Sequence, residues 1–194
     1  MKTVIVYYHP YNRSFCHALL EAAKEGAENA ELEVDVIDLD AEKFDPVMSA
    51  NDLRGFVNHE MVDVQAKELF GRIRNADHMI MIFPIWWELM PAMVKGFIDK
   101  VVFPGSFYEQ IQGGFDMLTL LPNLKVTIIT TMNTPALMYK FVYKNAIYRA
   151  MVSGTFKKIG IRKVKWVNFG MVKFTKEETR QKWLKKTAQI GAGK

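Results

Sequence analysis

Five short apolar runs rich in β-branched residues recur along the chain, and stretches with helical periodicity separate them. The runs are Thr3 to Tyr8, Leu32 to Leu39, His78 to Phe83, Lys125 to Thr131 and Lys163 to Phe169. This alternation specifies βαβ units around a parallel sheet, because parallel neighbours need a crossover and a helix supplies it. HMIMIF at His78 and KVTIITT at Lys125 carry almost no charge, as strands covered on both faces must. They belong in the centre of the sheet. LEVDVIDL at Leu32 alternates instead, with Glu33, Asp35 and Asp38 interrupting it, which suits an edge strand.

Helices fill the gaps. Ser14 to Asn29 sets Phe15, Ala18, Leu19 and Ala22 on one stripe, and Val62 to Asn75 does the same with Val62, Leu69, Phe70 and Ile73. Pro91 opens PAMVKGFIDKVV, where its missing donor costs nothing. Ala136 to Lys158 predicts one or two helices, and the last helix is expected to open at Thr175, whose spacing to Glu178 fits a capping box. Asp40 to Asn58 and Phe103 to Asn123 show no period and read as long loops, which more often serve a site than merely connect. The expectation is one domain over residues 1–194, α/β, a doubly wound five-stranded parallel sheet of order 2-1-3-4-5 with helices on both faces. Ligands of such sheets sit at the carboxyl ends of strands 1, 3 and 4.

Composition narrows the function classes. A single cysteine, Cys16, cannot close an internal disulfide, and no zinc spacing occurs, so the expectation is a reducing, cytoplasmic setting and no metal site. Val4 to Tyr8 is too short for the ~7–15-residue core of a signal peptide. The ten uncharged residues from His78 to Trp87 fall short of the ~20 that a membrane helix needs, so no membrane insertion is expected. The net charge of +5 is unevenly placed: residues 1–156 carry 14 basic and 19 acidic side chains, and residues 157–194 carry 12 and 2. That segment reads as a solvated surface before it reads as a contact for an anionic cofactor, a lipid or nucleic acid, and no nucleic-acid partner is expected.

Three loops follow the relevant strands. His9 to Phe15 holds no G-x-G-x-x-G and no G-x-x-x-x-G-K, so it is neither a dinucleotide fingerprint nor a P-loop. Asn12, Arg13 and Ser14 stand where a helix begins, offering either an ordinary cap or an anion site built on free N–H groups. In Phe83 to Pro91, Trp86 and Trp87 diverge at a strand end, so either one of them borders a cavity that suits a planar aromatic ligand or both pack under neighbouring helices. Glu88 beside them faces solvent or disfavours anionic acceptors. In Thr130 to Pro135, hydroxyls and an amide stand on a rigid central strand, as a binding loop or as a plain connection.

These residues resemble the flavodoxin-like NAD(P)H:quinone oxidoreductase family in its short form, across roughly residues 2 to 170. The resemblance is carried by His9, Pro10, Ser14 and Phe15, by Phe44, Asp45, Pro46 and Ser49, and most specifically by FPIWWELMPAMVKGFIDKV from Phe83. It implies a bound flavin, FMN or FAD with FMN preferred, two-electron reduction of quinones or similar small electrophiles by NADH or NADPH, and a homodimer with sites at the interface. By position, His9, Ser14 and Phe15 would line the flavin phosphate site. Pro84, Ile85, Trp86 and Trp87 would run along the isoalloxazine edge, with backbone N–H groups of the residues after Pro84 reaching the ring. Thr130 and Thr131 match a T-T-G-G loop whose glycines are here Met132 and Asn133. Asn133 would adjoin the flavin, while Met132, Phe107 and Tyr108 would line the substrate pocket, the last two reaching it from the partner subunit. The family's downstream Tyr and His assist charge stabilisation; no histidine follows the third loop here, the resemblance leaves Tyr139 or Tyr143 either to supply the phenol or to pack in the core, and no catalytic group is obligatory. A flavin-binding sensor or transporter accessory subunit is the alternative. A one-electron carrier is disfavoured, because the T-G-x-T phosphate loop is absent.

Overall fold

A computed structural model describes residues 1–111 and 116–194. The main sheet has five parallel strands in the order β2-β1-β3-β6-β7, where β1 is Lys2–Tyr7, β2 Glu33–Asp38, β3 His78–Pro84, β6 Lys125–Thr131 and β7 Val164–Phe169. In order of the sheet's strands along the chain, this is the expected 2-1-3-4-5. Every residue of β3 is buried, and β2 lies at an edge, as their compositions required. The polar residues of β2 are used there: Asp35 accepts two hydrogen bonds from Arg72, at 2.6 and 2.9 Å, which hold its carboxyl below the usual range.

Strand alternation divides the core in two. Val4, Val6, Met79, Met81, Val126 and Ile128 face one side, under α3 (Val64–Ile73) and α4 (Ala92–Val101). Ile5, Tyr7, Ile80, Ile82 and Ile129 face the other, under α1 (Phe15–Asn29) and α6 (Glu177–Gly191). The two helices of that second layer approach backbone to backbone. A Cβ on Gly191 would lie 1.9 Å from the Ala23 carbonyl oxygen, so only glycine fits.

Three expectations need correction. Asp40 to Asn58 is not all loop, since it holds α2 (Ala50–Asn58), opened by a capping box between Ser49 and Asp52. The stretch from Phe103 carries a small antiparallel hairpin of β4 (Tyr108–Gln110) and β5 (Met117–Thr119), residues 112–115 of it lying outside the described residues. Thr175 does not cap the last helix. Lys176 occupies the cap position, and the Thr175 hydroxyl donates to the Met171 carbonyl at 2.8 Å, satisfying itself locally instead. The segment from Ala136 splits into α5 (Ala136–Phe141) and a ten-residue π-helical stretch, Tyr148–Lys157. No helix among the described residues is long and apolar enough to cross a membrane.

Candidate active site

The carboxyl ends of β1, β3 and β6 surround a cavity of about 360 Å3. The first loop and α1 contribute His9, Ser14, Phe15 and Cys16; the second loop contributes Pro84, Ile85 and Trp86; the third contributes Thr131, Met132 and Asn133. A short turn after β7 adds Val172 and Lys173. All three loops expected from the topology therefore converge on one space.

Each wall has a local cause. Ser14 is the N-cap of α1 and accepts from the His17 N–H at 3.1 Å. The N–H groups of Phe15 and Cys16, one turn earlier than any intrahelical partner, find no acceptor among the described residues. This end of a 15-residue helix presents positive partial charge to the cavity, and the exposed Lys173 adds a full charge at its rim. Asn133 fixes that rim, its Oδ1 accepting from the Lys173 backbone N–H at 2.9 Å.

The titratable groups in the wall are ill suited to nucleophilic or base chemistry. Burial pushes the Cys16 thiol up to about 12, against a weaker opposing effect from Thr131, whose hydroxyl lies 3.0 Å from the sulfur. It stays a protonated thiol at neutral pH. Burial likewise lowers the pKa of His9, whose Nδ1 accepts from the Tyr11 N–H at 3.1 Å. The imidazole is neutral, with its remaining proton on Nε2. No cluster of three metal-ligating side chains occurs among the described residues.

The second loop is held in an unusual shape. Trp86 and Leu89 exchange both backbone hydrogen bonds, at 2.9 and 3.1 Å, around a two-residue turn in which Trp87 has φ 48° and Glu88 φ 65°. Two positive φ values in succession are the type I′ signature, ordinarily filled by Asn-Gly. Non-glycine residues in such positions cost of order 1–3 kcal/mol each. The turn aims Trp86 into the cavity wall and leaves Trp87 99% exposed, so the tryptophan pair divides as expected. The bonding also answers where the N–H groups of this loop go. That of Ile85 donates to the Thr131 carbonyl at 2.8 Å and that of Trp86 to Leu89, so neither is free for a ligand.

Several residues singled out in the sequence stand elsewhere. Trp87 does not line the cavity. Thr130 is buried on the opposite face of β6 from Thr131, its hydroxyl donating to Asn168 Oδ1 and accepting from the Trp166 indole, both at 2.9 Å. Phe107 and Tyr108, expected to serve a partner's pocket, do not line this chain's own cavity: Phe107 is in the core against Phe70, and Tyr108 is a buried residue of the hairpin itself, paired with Thr119. Tyr139 is buried outside the cavity. Its hydroxyl donates to the Glu88 carbonyl at 2.8 Å and accepts from the Ile147 N–H at 3.0 Å. Tyr143 packs near its ring and is exposed. Sequence reasoning missed Val172 and Lys173 as wall residues, the only hint being the basic bias of the last segment.

A family model for the flavodoxin-like fold matches residues 1–190. This chain belongs to the flavodoxin-like NAD(P)H:quinone oxidoreductase family. An uncharacterized NAD(P)H oxidoreductase of Haemophilus influenzae is 25% identical over 191 residues, covering 97% of this chain and 93% of its own. A ribosyldihydronicotinamide dehydrogenase [quinone] of Pongo abelii is 29% identical over 76% of this chain and 70% of its own length. Among solved structures, that of Smu.1420 from Streptococcus mutans UA159 is similar with a TM-score of 0.88 and 33% identity, covering 100% of both chains. Within this flavodoxin-like family the F-D-P and K-G elements have a packing explanation in the present chain. A Cβ on Gly96 would lie 2.3 Å from Pro46, and Phe44 meets Phe97 edge to face.

Proposed function

We propose that this chain is a flavin-dependent NAD(P)H oxidoreductase that reduces quinones or similar small electrophiles by two electrons. The observation that carries this reading is the cavity itself, where an unpaired helix N-terminus and Lys173 face an aromatic wall and no activated nucleophile or base stands among its described residues. Such a site suits a ligand that joins an anionic group to an apolar plane and brings its own reactivity. The residues fit a flavin on those terms. Ser14, the N–H groups of Phe15 and Cys16, and Lys173 would hold the phosphate, and Trp86, Ile85 and Met132 would bound the ring. A volume of about 360 Å3 lies within the ~300–1,000 Å3 range of ligand pockets. When bound, the flavin supplies hydride acceptance from the nicotinamide and hydride donation to the acceptor.

The protein's share is position and charge. The α1 N-terminus and Lys173 neutralise the anionic group, and the neutral His9 adds no charge beside it. Asn133 fills room at the mouth and orders the Lys173 turn. Trp87 and Leu89 beside the second loop, and Leu137, Phe141 and Val142 on α5 and its end, are exposed apolar side chains, which supports association of two copies.

Denaturing the purified protein and identifying the released flavin by chromatography tests cofactor identity, and NADH or NADPH oxidation with a quinone tests turnover. FMN released in proportion to protein, together with quinone-dependent oxidation of one nicotinamide, is expected. Bound flavin with negligible turnover would instead favour a sensor or an accessory subunit of a transporter.

A further inference from the structure

The two-residue turn Trp87–Glu88 adopts a backbone conformation that its side chains disfavour, and two other elements hold it there. Tyr139 on α5 donates its hydroxyl proton to the Glu88 carbonyl and accepts from the Ile147 N–H, so both of its hydrogen-bonding roles are filled. Thr134 of the third loop donates to Glu88 Oε1 at 3.1 Å. The other carboxylate oxygen, Oε2, is buried without a partner, a further cost of keeping Glu88 in this position. Strain kept at a ligand-facing loop persists only where its surroundings over-determine it, and such loops serve pre-organisation. Trp86, on the flank of this turn, is the element of the cavity wall that the arrangement fixes.

We propose that Tyr139 and Thr134 are positioning residues that hold the strained Trp87–Glu88 turn closed, setting Trp86 as a fixed wall for the planar part of the ligand. The proposal deepens the flavin reading and rests on it for the ligand alone. It gives Tyr139 a different task from a phenol that assists charge, because its proton is committed to Glu88. Relaxing the backbone strain removes the need for the clamp. Trp87 is suited to that purpose, since its side chain is 99% exposed and forms no hydrogen bond.

The experiment compares Tyr139→Phe in two backgrounds, Trp87→Ala, which keeps the strain, and Trp87→Gly, which removes it. Both lose the indole, so they differ in backbone freedom alone. In the absence of flavin, Trp87→Gly is expected to melt a few degrees above Trp87→Ala, on the scale of ~2–4 °C per kcal/mol for chains of this size. In the alanine background, Tyr139→Phe is expected to speed amide exchange at Leu89 about tenfold and weaken FMN binding by a similar factor, because the wall is formed a smaller fraction of the time. In the glycine background both changes should fall below about threefold. Equal effects in the two backgrounds, or no stability advantage for glycine, would overturn the proposal. Should Tyr139→Phe fail to fold, Thr134→Val makes the same comparison through the other arm of the clamp. If even the wild-type protein binds no FMN, the flavin reading fails, while the melting order and the Leu89 exchange still decide the clamp.

Discussion

His78 makes the stability of this protein acid-sensitive in a calculable way. It begins β3 with its side chain wholly buried, its Nε2 2.8 Å from the Thr127 hydroxyl and its Nδ1 without a partner. Burial first, and the charge of Lys125 second, draw its pKa from 6.5 down to about 4. The unfolded chain therefore binds a proton here at a pH where the folded chain does not. Stability is unaffected above the unfolded value, and is lost as the pH falls through it toward the folded one. With those two values, the loss between pH 7.5 and pH 5 comes to about 2 kcal/mol. For a chain of this length that is a fall of about 4–8 °C in the melting temperature. The assay is thermal or urea unfolding of the wild type and of His78→Leu at both pH values. Leucine removes the titration, so its pH-dependent loss should be smaller than that of the wild type by about 2 kcal/mol. Equal losses in the two proteins would refute the assignment and place the acid sensitivity in other groups.

Other predictions concern the site and its support. Lys173→Glu should lower FMN affinity at least about fivefold, as expected for reversing one exposed charge near an anion, with the difference shrinking at high salt in a titration. Gly96→Ala forces a methyl against Pro46 and should destabilise the fold by at least the ~1–3 kcal/mol of overpacking, read from the urea midpoint. Cys16 should resist alkylation at pH 8 in the folded protein and react once the protein is denatured, as mass spectrometry of the labelled protein will show.

Much of this arrangement is legible in the amino-acid sequence. Period and composition placed the edge and central strands, and topology pointed to three loops that do line one cavity. What stayed hidden has physical reasons. Helix α2 carries only a short apolar stripe, Leu53, Phe56 and Val57 at i, i+3 and i+4; within nine residues it faces outward while Asp52 and Gly55 are buried, too short a run to stand out over the longer window that periodicity needs. The Thr130–Thr131 doublet is two neighbours on a strand, which must point to opposite faces, and sequence alone does not say which one meets the ligand. Trp87 and Trp86 divide the same way, but through a turn whose positive φ values no Trp-Glu pair announces. Lys173 reaches the rim only because β7 lies beside β6 and its exit turn folds back toward Asn133. The motifs that looked most functional are partly structural: Pro46 and Gly96 set the depth of α4, and Tyr139 braces a loop.

The proposed occupant of this cavity is a flavin mononucleotide, phosphate at the α1 N-terminus and ring beside Trp86. Titrating FMN into flavin-free protein while following the flavin emission tests it most directly. A saturable change reaching one FMN per chain, weakened by Lys173→Glu, is the result expected. A flavin signal that stays linear to the end of the titration, with no rise in the melting temperature of the protein, would contradict it.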